Sequence, residues 1–143
     1  MRFWDSSALA PLIVEEAASP MVLDWLREDA SVVVWGLARL ELASAIERRV
    51  REGRLPASMR QLALQRVARI TVDAHEVNDL TAVRTRALPI LARHALRAAD
   101  AAQLGAALLV ADPDPASLTM VVLDRRLAEA ADREGLVVLT WPD

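Results

Sequence analysis

Short runs of strand-forming residues recur along this chain, each separated from the next by a segment long enough for one or two helices. The runs are Arg2-Phe3-Trp4-Asp5, Ser31-Val32-Val33-Val34-Trp35, Ile70-Thr71-Val72, Thr119-Met120-Val121-Val122-Leu123 and residues 136–140. Strands joined through helices run parallel, because each crossover carries the chain back to the end of the sheet where it began. The pattern predicts an α/β fold: an open, mostly parallel sheet with helices on both faces. A length of 143 residues suits one domain over 1–143, and no repeat, linker or low-complexity tract divides it.

The helices are read from their caps and periods. Ser6 or Ser7 opens a helix to about Glu16. Ser19 as N-cap and Pro20 at the first helical position open a second, to about Asp29. Leu37 to Arg51 is a third, stopped by Gly53, and Pro56 starts a fourth to about Arg69. Asp73 with Glu76 three residues on reads as a capping box for a fifth, whose apolar side is Val77, Leu80, Ala87, Leu88 and Leu91. Residues 97–111 form an alanine-rich helix, ended by Asp112-Pro113-Asp114-Pro115. Arg125 to Glu134 is the last, with Leu127, Ala130 and Ala131 inward.

Composition excludes several classes of function. There is no cysteine, so disulfides and thiolate metal sites are out. Every basic residue is arginine, so no mechanism that requires lysine is available. A formal net charge of −3 argues against nucleic-acid binding driven by bulk charge. No apolar run approaches the roughly 18–20 residues of a membrane span. A soluble, cytoplasmic protein without membrane contact is expected.

Ligands of open parallel sheets bind beyond the carboxyl ends of the strands, near the point where strand order reverses. Asp5 ends the first strand and Asp124 follows the strand at 119–123. If those strands are neighbours, both carboxylates enter one crevice. Glu41 has only Leu37, Ala38, Ser44 and Ala45 three and four residues away, which places it on an inward or cleft-facing side of its helix. Asp100 lies in the first turn of the alanine-rich helix, where the helix dipole favours a carboxylate. Each of the four also has a purely structural reading, as an N-cap, a first-turn acid or an arginine partner. Two unit charges ~4 Å apart at an effective dielectric of ~20 oppose each other by about 4 kcal/mol, so such a cluster calls for a cation. Oxygen ligands without Cys or paired His favour magnesium or manganese over zinc.

Four segments carry a family resemblance: Phe3-Trp4-Asp5-Ser6-Ser7-Ala8-Leu9, Leu40-Glu41-Leu42-Ala43-Ser44-Ala45, Leu96-Arg97-Ala98-Ala99-Asp100-Ala101-Ala102-Gln103-Leu104 and Leu123-Asp124-Arg125-Arg126-Leu127-Ala128-Glu129-Ala130-Ala131. In this order they resemble the PIN-domain ribonucleases, in particular the VapC-type toxins of bacterial toxin–antitoxin pairs. The resemblance implies a PIN fold, a three-layer sandwich with the sheet between helices. It implies endoribonuclease activity with magnesium or manganese. Asp5, Glu41, Asp100 and Asp124 fall on the family's acidic positions, and Ser7 on a Ser/Thr position that supports the first Asp or the metal. It also implies a homodimer and a small cognate antitoxin. No Ser or Thr precedes Asp124, where many relatives carry one.

Arg97, one turn before Asp100, is read as orienting it or meeting phosphate. Arg48, Arg49, Arg51 and Arg54 are read either as an RNA contact or as a solvated helix surface. His75 and His94 are assigned no catalytic role, and turn chemistry explains Asp112 and Asp114. Two other classes compete. A phosphotransfer enzyme also places acids at strand ends, but haloacid-dehalogenase-like phosphatases want an Asp where Ser7 stands, and receivers want a lysine. Nucleotide binding wants a glycine-rich loop, and residues 6–12 hold no glycine. The second is a catalytically silent interaction domain that keeps the fold.

Overall fold

A computed structural model of the chain describes residues 1–142. Five short strands form one parallel sheet in the order β3-β2-β1-β4-β5: β1 Arg2–Trp4, β2 Val32–Trp35, β3 His75–Val77, β4 Thr119–Val121 and β5 Val137–Leu139. The helices are α1 Ser6–Ile13, α2 Ser19–Glu28, α3 Ala38–Arg51, α4 Arg60–Val72, α5 Leu80–Arg93, α6 Ala98–Val110 and α7 Arg125–Arg133.

Successive strand side chains point to opposite faces, and here both faces are buried. Phe3, Val33 and Met120 pack under α5, α6 and α7. Trp4, Val34 and Val121 pack under α1 to α4. The chain moves outward from β1 to β3 with α1–α4 on one face, then crosses back to β4 with α5 and α6 on the other. Right-handed crossovers require this change of face when the direction of travel reverses. The result is the three-layer sandwich expected from the sequence, with the switch point between β1 and β4. Their register pairs Trp4 with Val121, so Asp5 and the residues after β4 leave the sheet side by side.

Three local expectations fail. Ile70-Thr71-Val72 is not a strand but the last turn of α4. Thr71 turns its hydroxyl back onto the Val67 carbonyl at 2.9 Å and stays within the helix. The third strand lies at His75–Val77 instead, so Glu76 caps nothing. The N-cap of α5 is Asp79, whose Oδ1 accepts the Ala82 N–H at 2.9 Å. That phase buries Val83, Ala87 and Ile90, and leaves Leu80, Leu88 and Leu91 exposed. Ser19 is not the N-cap of α2 either. Its hydroxyl accepts the Glu16 N–H at 2.8 Å and donates to the Pro11 carbonyl at 2.6 Å, closing the turn that ends α1 early. Among the described residues no helix is long and apolar enough to cross a membrane.

Candidate active site

Asp5 follows β1 and is the N-cap of α1. Its Oδ2 accepts the Ser7 N–H at 2.9 Å and also the Ser7 hydroxyl. The Ser7 oxygen in turn accepts the N–H groups of Leu123 at 2.9 Å and Asp124 at 3.1 Å. One serine thus holds the ends of β1 and β4 together. Asp124 caps α7 through its Oδ1, which accepts the Leu127 N–H at 2.9 Å. Glu41 lies in the first turn of α3, half-buried, and its Oε2 accepts from Ser6 at 2.8 Å and from Gln103 Nε2 at 2.9 Å. Asp100 lies in the first turn of α6, half-buried.

In Asp5, Glu41 and Asp124 the protein holds one carboxylate oxygen. The second, Asp5 Oδ1, Glu41 Oε1 and Asp124 Oδ2, accepts no hydrogen bond from the described residues.

The four acids are electrostatic neighbours. Burial is the main force on Asp5, which is only 5 % exposed, and it pushes the carboxyl up to about 6. The Ser7 hydrogen bonds oppose this, and the charges of Glu41 and Asp100 add to it. Asp100 is also raised, first by desolvation and then by Asp124, while Arg97 pulls it down. Repulsion therefore runs through Glu41, Asp5, Asp100 and Asp124 in turn. None of the four takes part in an ion pair among the described residues, whereas Glu16, Glu47 and Glu134 are each held by an arginine. Equally, no three His, Cys, Asp or Glu side chains among the described residues stand close enough to hold one metal ion between them. The acids gather where β1 and β4 end; they do not form a closed cage.

A solved structure, FitAcB from Neisseria gonorrhoeae, matches this architecture with a TM-score of 0.65 over 97 % of this chain and 96 % of that one, at 16 % sequence identity. The fold is PIN-like. No family model matches the sequence, and no curated protein does.

Within this PIN-like frame the other sequence candidates separate. Arg97 is exposed at the N-cap of α6, one turn from Asp100. Of the basic group on and just after α3, Arg49 pairs with Glu16 and so ties α3 to the segment after α1, while Arg54 pairs with its neighbour Glu52 at the surface. His94 bonds Glu134 at 2.7 Å beside the Arg93–Glu134 pair, tying the end of α5 to the end of α7. Asp112 pairs with Arg86 at 3.0 Å, and Asp114 caps the 3₁₀ turn at Pro115–Ser117. Sequence reasoning missed the roles of Ser6 and Gln103. Gln103 alone left a signal: it is a polar residue on the inward side of an alanine-rich helix.

Proposed function

We propose that the chain is a metal-dependent endoribonuclease acting through Asp5, Glu41, Asp100 and Asp124, and the toxin of a toxin–antitoxin pair. The observation that carries the reading is the unneutralised row of acids at the switch point, with buried Asp5 at its centre. Repulsion of this kind is relieved by a cation. The donors are hard oxygens, which suit magnesium or manganese. Magnesium takes one or two carboxylates directly and keeps several waters, so four acids along an open crevice fit it without a closed cage. One or two of Asp5, Glu41 and Asp100 would hold the ion directly, the remaining acids would face its waters, and Asp124 would extend the acidic rim. A divalent ion so bound supplies an activated water and charge stabilisation for in-line displacement at phosphorus.

The chain's own groups prepare that site. Ser7 fixes Asp5 by one oxygen and leaves the other to a ligand. Arg97, exposed beside Asp100, meets the RNA phosphate that the acids would otherwise repel. The toxin role rests on the resemblance of the four acidic segments, to which the FitAcB likeness adds the fold alone. That resemblance also brings a small cognate antitoxin and a homodimer. We assign the dimer contact to the exposed leucines Leu80, Leu88 and Leu91 of α5. They share one helical face, beside a groove of about 250 Å³ that Trp35, Ala98 and Ala102 also line.

RNA cleavage in magnesium or manganese, compared between wild type and Asp5→Asn, tests the site. Undiminished cleavage by the variant removes the assignment. No cleavage of any RNA, together with no metal-dependent thermal shift, leaves an interaction domain instead. Expression should arrest growth, and the small open reading frame beside the gene should relieve the arrest. Harmless expression removes the toxin role and leaves the nuclease.

A further inference from the structure

The most deeply buried polar side chain at the crevice belongs to none of the four acids. Gln103 is 1 % exposed, within a helix built otherwise of alanine, leucine, glycine, valine and the crevice acid Asp100. Its Nε2 donates to Glu41 Oε2 at 2.9 Å and to Ser6 Oγ at 3.1 Å. The Ser6 hydroxyl donates to the same Glu41 oxygen at 2.8 Å. Three helices, α1, α3 and α6, therefore meet on one carboxylate oxygen.

The other end of the amide is left over. Gln103 Oε1 is buried with no partner among the described residues. Turning the amide end for end would set a carbonyl oxygen against the carboxylate, so Glu41 dictates the orientation. A buried carbonyl without a donor costs folding free energy that leucine or methionine at this position would avoid. The packing of α6 therefore gives no reason for a glutamine, and the carboxylate it holds gives one.

We infer that Gln103, together with Ser6, is a positioning residue that clamps one oxygen of Glu41 and keeps the other available to the ligand of the acidic crevice. The clamp rests on the nuclease reading for the identity of that ligand, a divalent cation. It acts through Glu41 and touches neither substrate nor reacting atoms. Partners of this kind orient metal-ligating side chains and tune affinity without binding the ion.

The test is Gln103→Met, which keeps the volume and removes both donors. Its metal-free melting temperature should equal or exceed that of wild type, because the orphaned carbonyl goes with the amide. Its manganese dissociation constant, read by electron paramagnetic resonance without RNA, should rise about ten- to hundredfold. In a Glu41→Gln background the same substitution should change affinity less than about twofold, because the two residues act as one unit. Ser6→Ala, a milder change at a half-buried position, should weaken manganese binding in the same direction. Wild-type affinity in Gln103→Met, or an equal further loss in the Glu41→Gln background, overturns the clamp. A wild type that binds no manganese sinks the nuclease reading separately. The clamp is then judged by the ¹³C resonance of the Glu41 carboxylate: displacement in Gln103→Met supports it, and an unmoved resonance overturns it.

Discussion

The Ser7 hydroxyl donates to Asp5 at the end of β1 and accepts the Leu123 N–H at 2.9 Å beyond the end of β4. Ser7 and Leu123 are 116 positions apart in sequence, yet one oxygen spans the switch point. The position of the first acid and that of the chain after β4 are therefore set by the same atom.

Ser7→Ala should damage both. It removes the donor to Asp5 and leaves two backbone N–H groups without their acceptor, a loss of about 1–3 kcal/mol. Thermal melts should show a Tm lower by several degrees, and RNA cleavage should fall about ten- to hundredfold. Ser7→Thr, which keeps the hydroxyl, should restore most of each. An alanine variant with wild-type Tm and activity would reduce Ser7 to a simple first-turn residue.

Asp5 sets a pH dependence of stability in the metal-free protein. Its folded pKa, about 6, lies above the ordinary value of 3.8. Between those values the folded state keeps a proton that the unfolded state releases, so stability falls as pH rises through this window. Above about pH 6 the full cost is present, roughly 3 kcal/mol for a shift of this size. Asp100 is shifted in the same direction and adds to the slope. In chelator, the Tm of wild type should fall between pH 4 and 6 more steeply than that of Asp5→Asn, and manganese should restore it near neutral pH. Parallel Tm profiles for the two proteins would contradict the burial of this charge.

At Gly105, α6 lies directly against the backbone of α5. A Cβ built there would lie 3.0 Å from the Val83 carbonyl oxygen and 3.2 Å from the Ala87 nitrogen, both backbone atoms that cannot swing aside. Gly105→Val should therefore cost about 1–3 kcal/mol by overpacking, against any gain in helix propensity. Denaturant unfolding measures this, and an unchanged midpoint would show that the helix pair has slack.

Leu88 is 62 % exposed on α5. If the proposed dimer forms through this face, wild type should run as a dimer in light scattering and Leu88→Asp should run as a monomer with the fold intact. A variant that remains dimeric moves the contact to another surface, and a monomeric wild type removes the dimer proposal.

How much of this was legible beforehand follows from how local each cause is. Phe3-Trp4 and Met120-Val121 are apolar on both sides of the pleat, which only a doubly covered parallel strand requires, so β1 and β4 and their terminal acids could be placed. Glu41 was visible because its helical neighbours carry no charge. The third strand was not visible. His75-Glu76-Val77 is an edge strand with two of three residues exposed, held by backbone pairing to β2. The more strand-like Ile70-Thr71-Val72 was claimed by α4. Ser6, Glu41 and Gln103 meet across separations of 35 and 62 residues, and no local pattern encodes that meeting.

The register of β1 against β4 has a consequence for the chain as it is made. Asp5 is made long before β4, the neighbour of β1 across the switch point, which is complete only at residue 121, and Asp124 and its capping partner Leu127 come later still. Until then β1 has β2 on one side and nothing on the side that β4 will take. A product that ends between α6 and β4 carries Asp5, Glu41 and Asp100 but lacks Asp124 and the strand that sets it beside Asp5. The four acids therefore come together only once β4 and the first turn of α7 have been made.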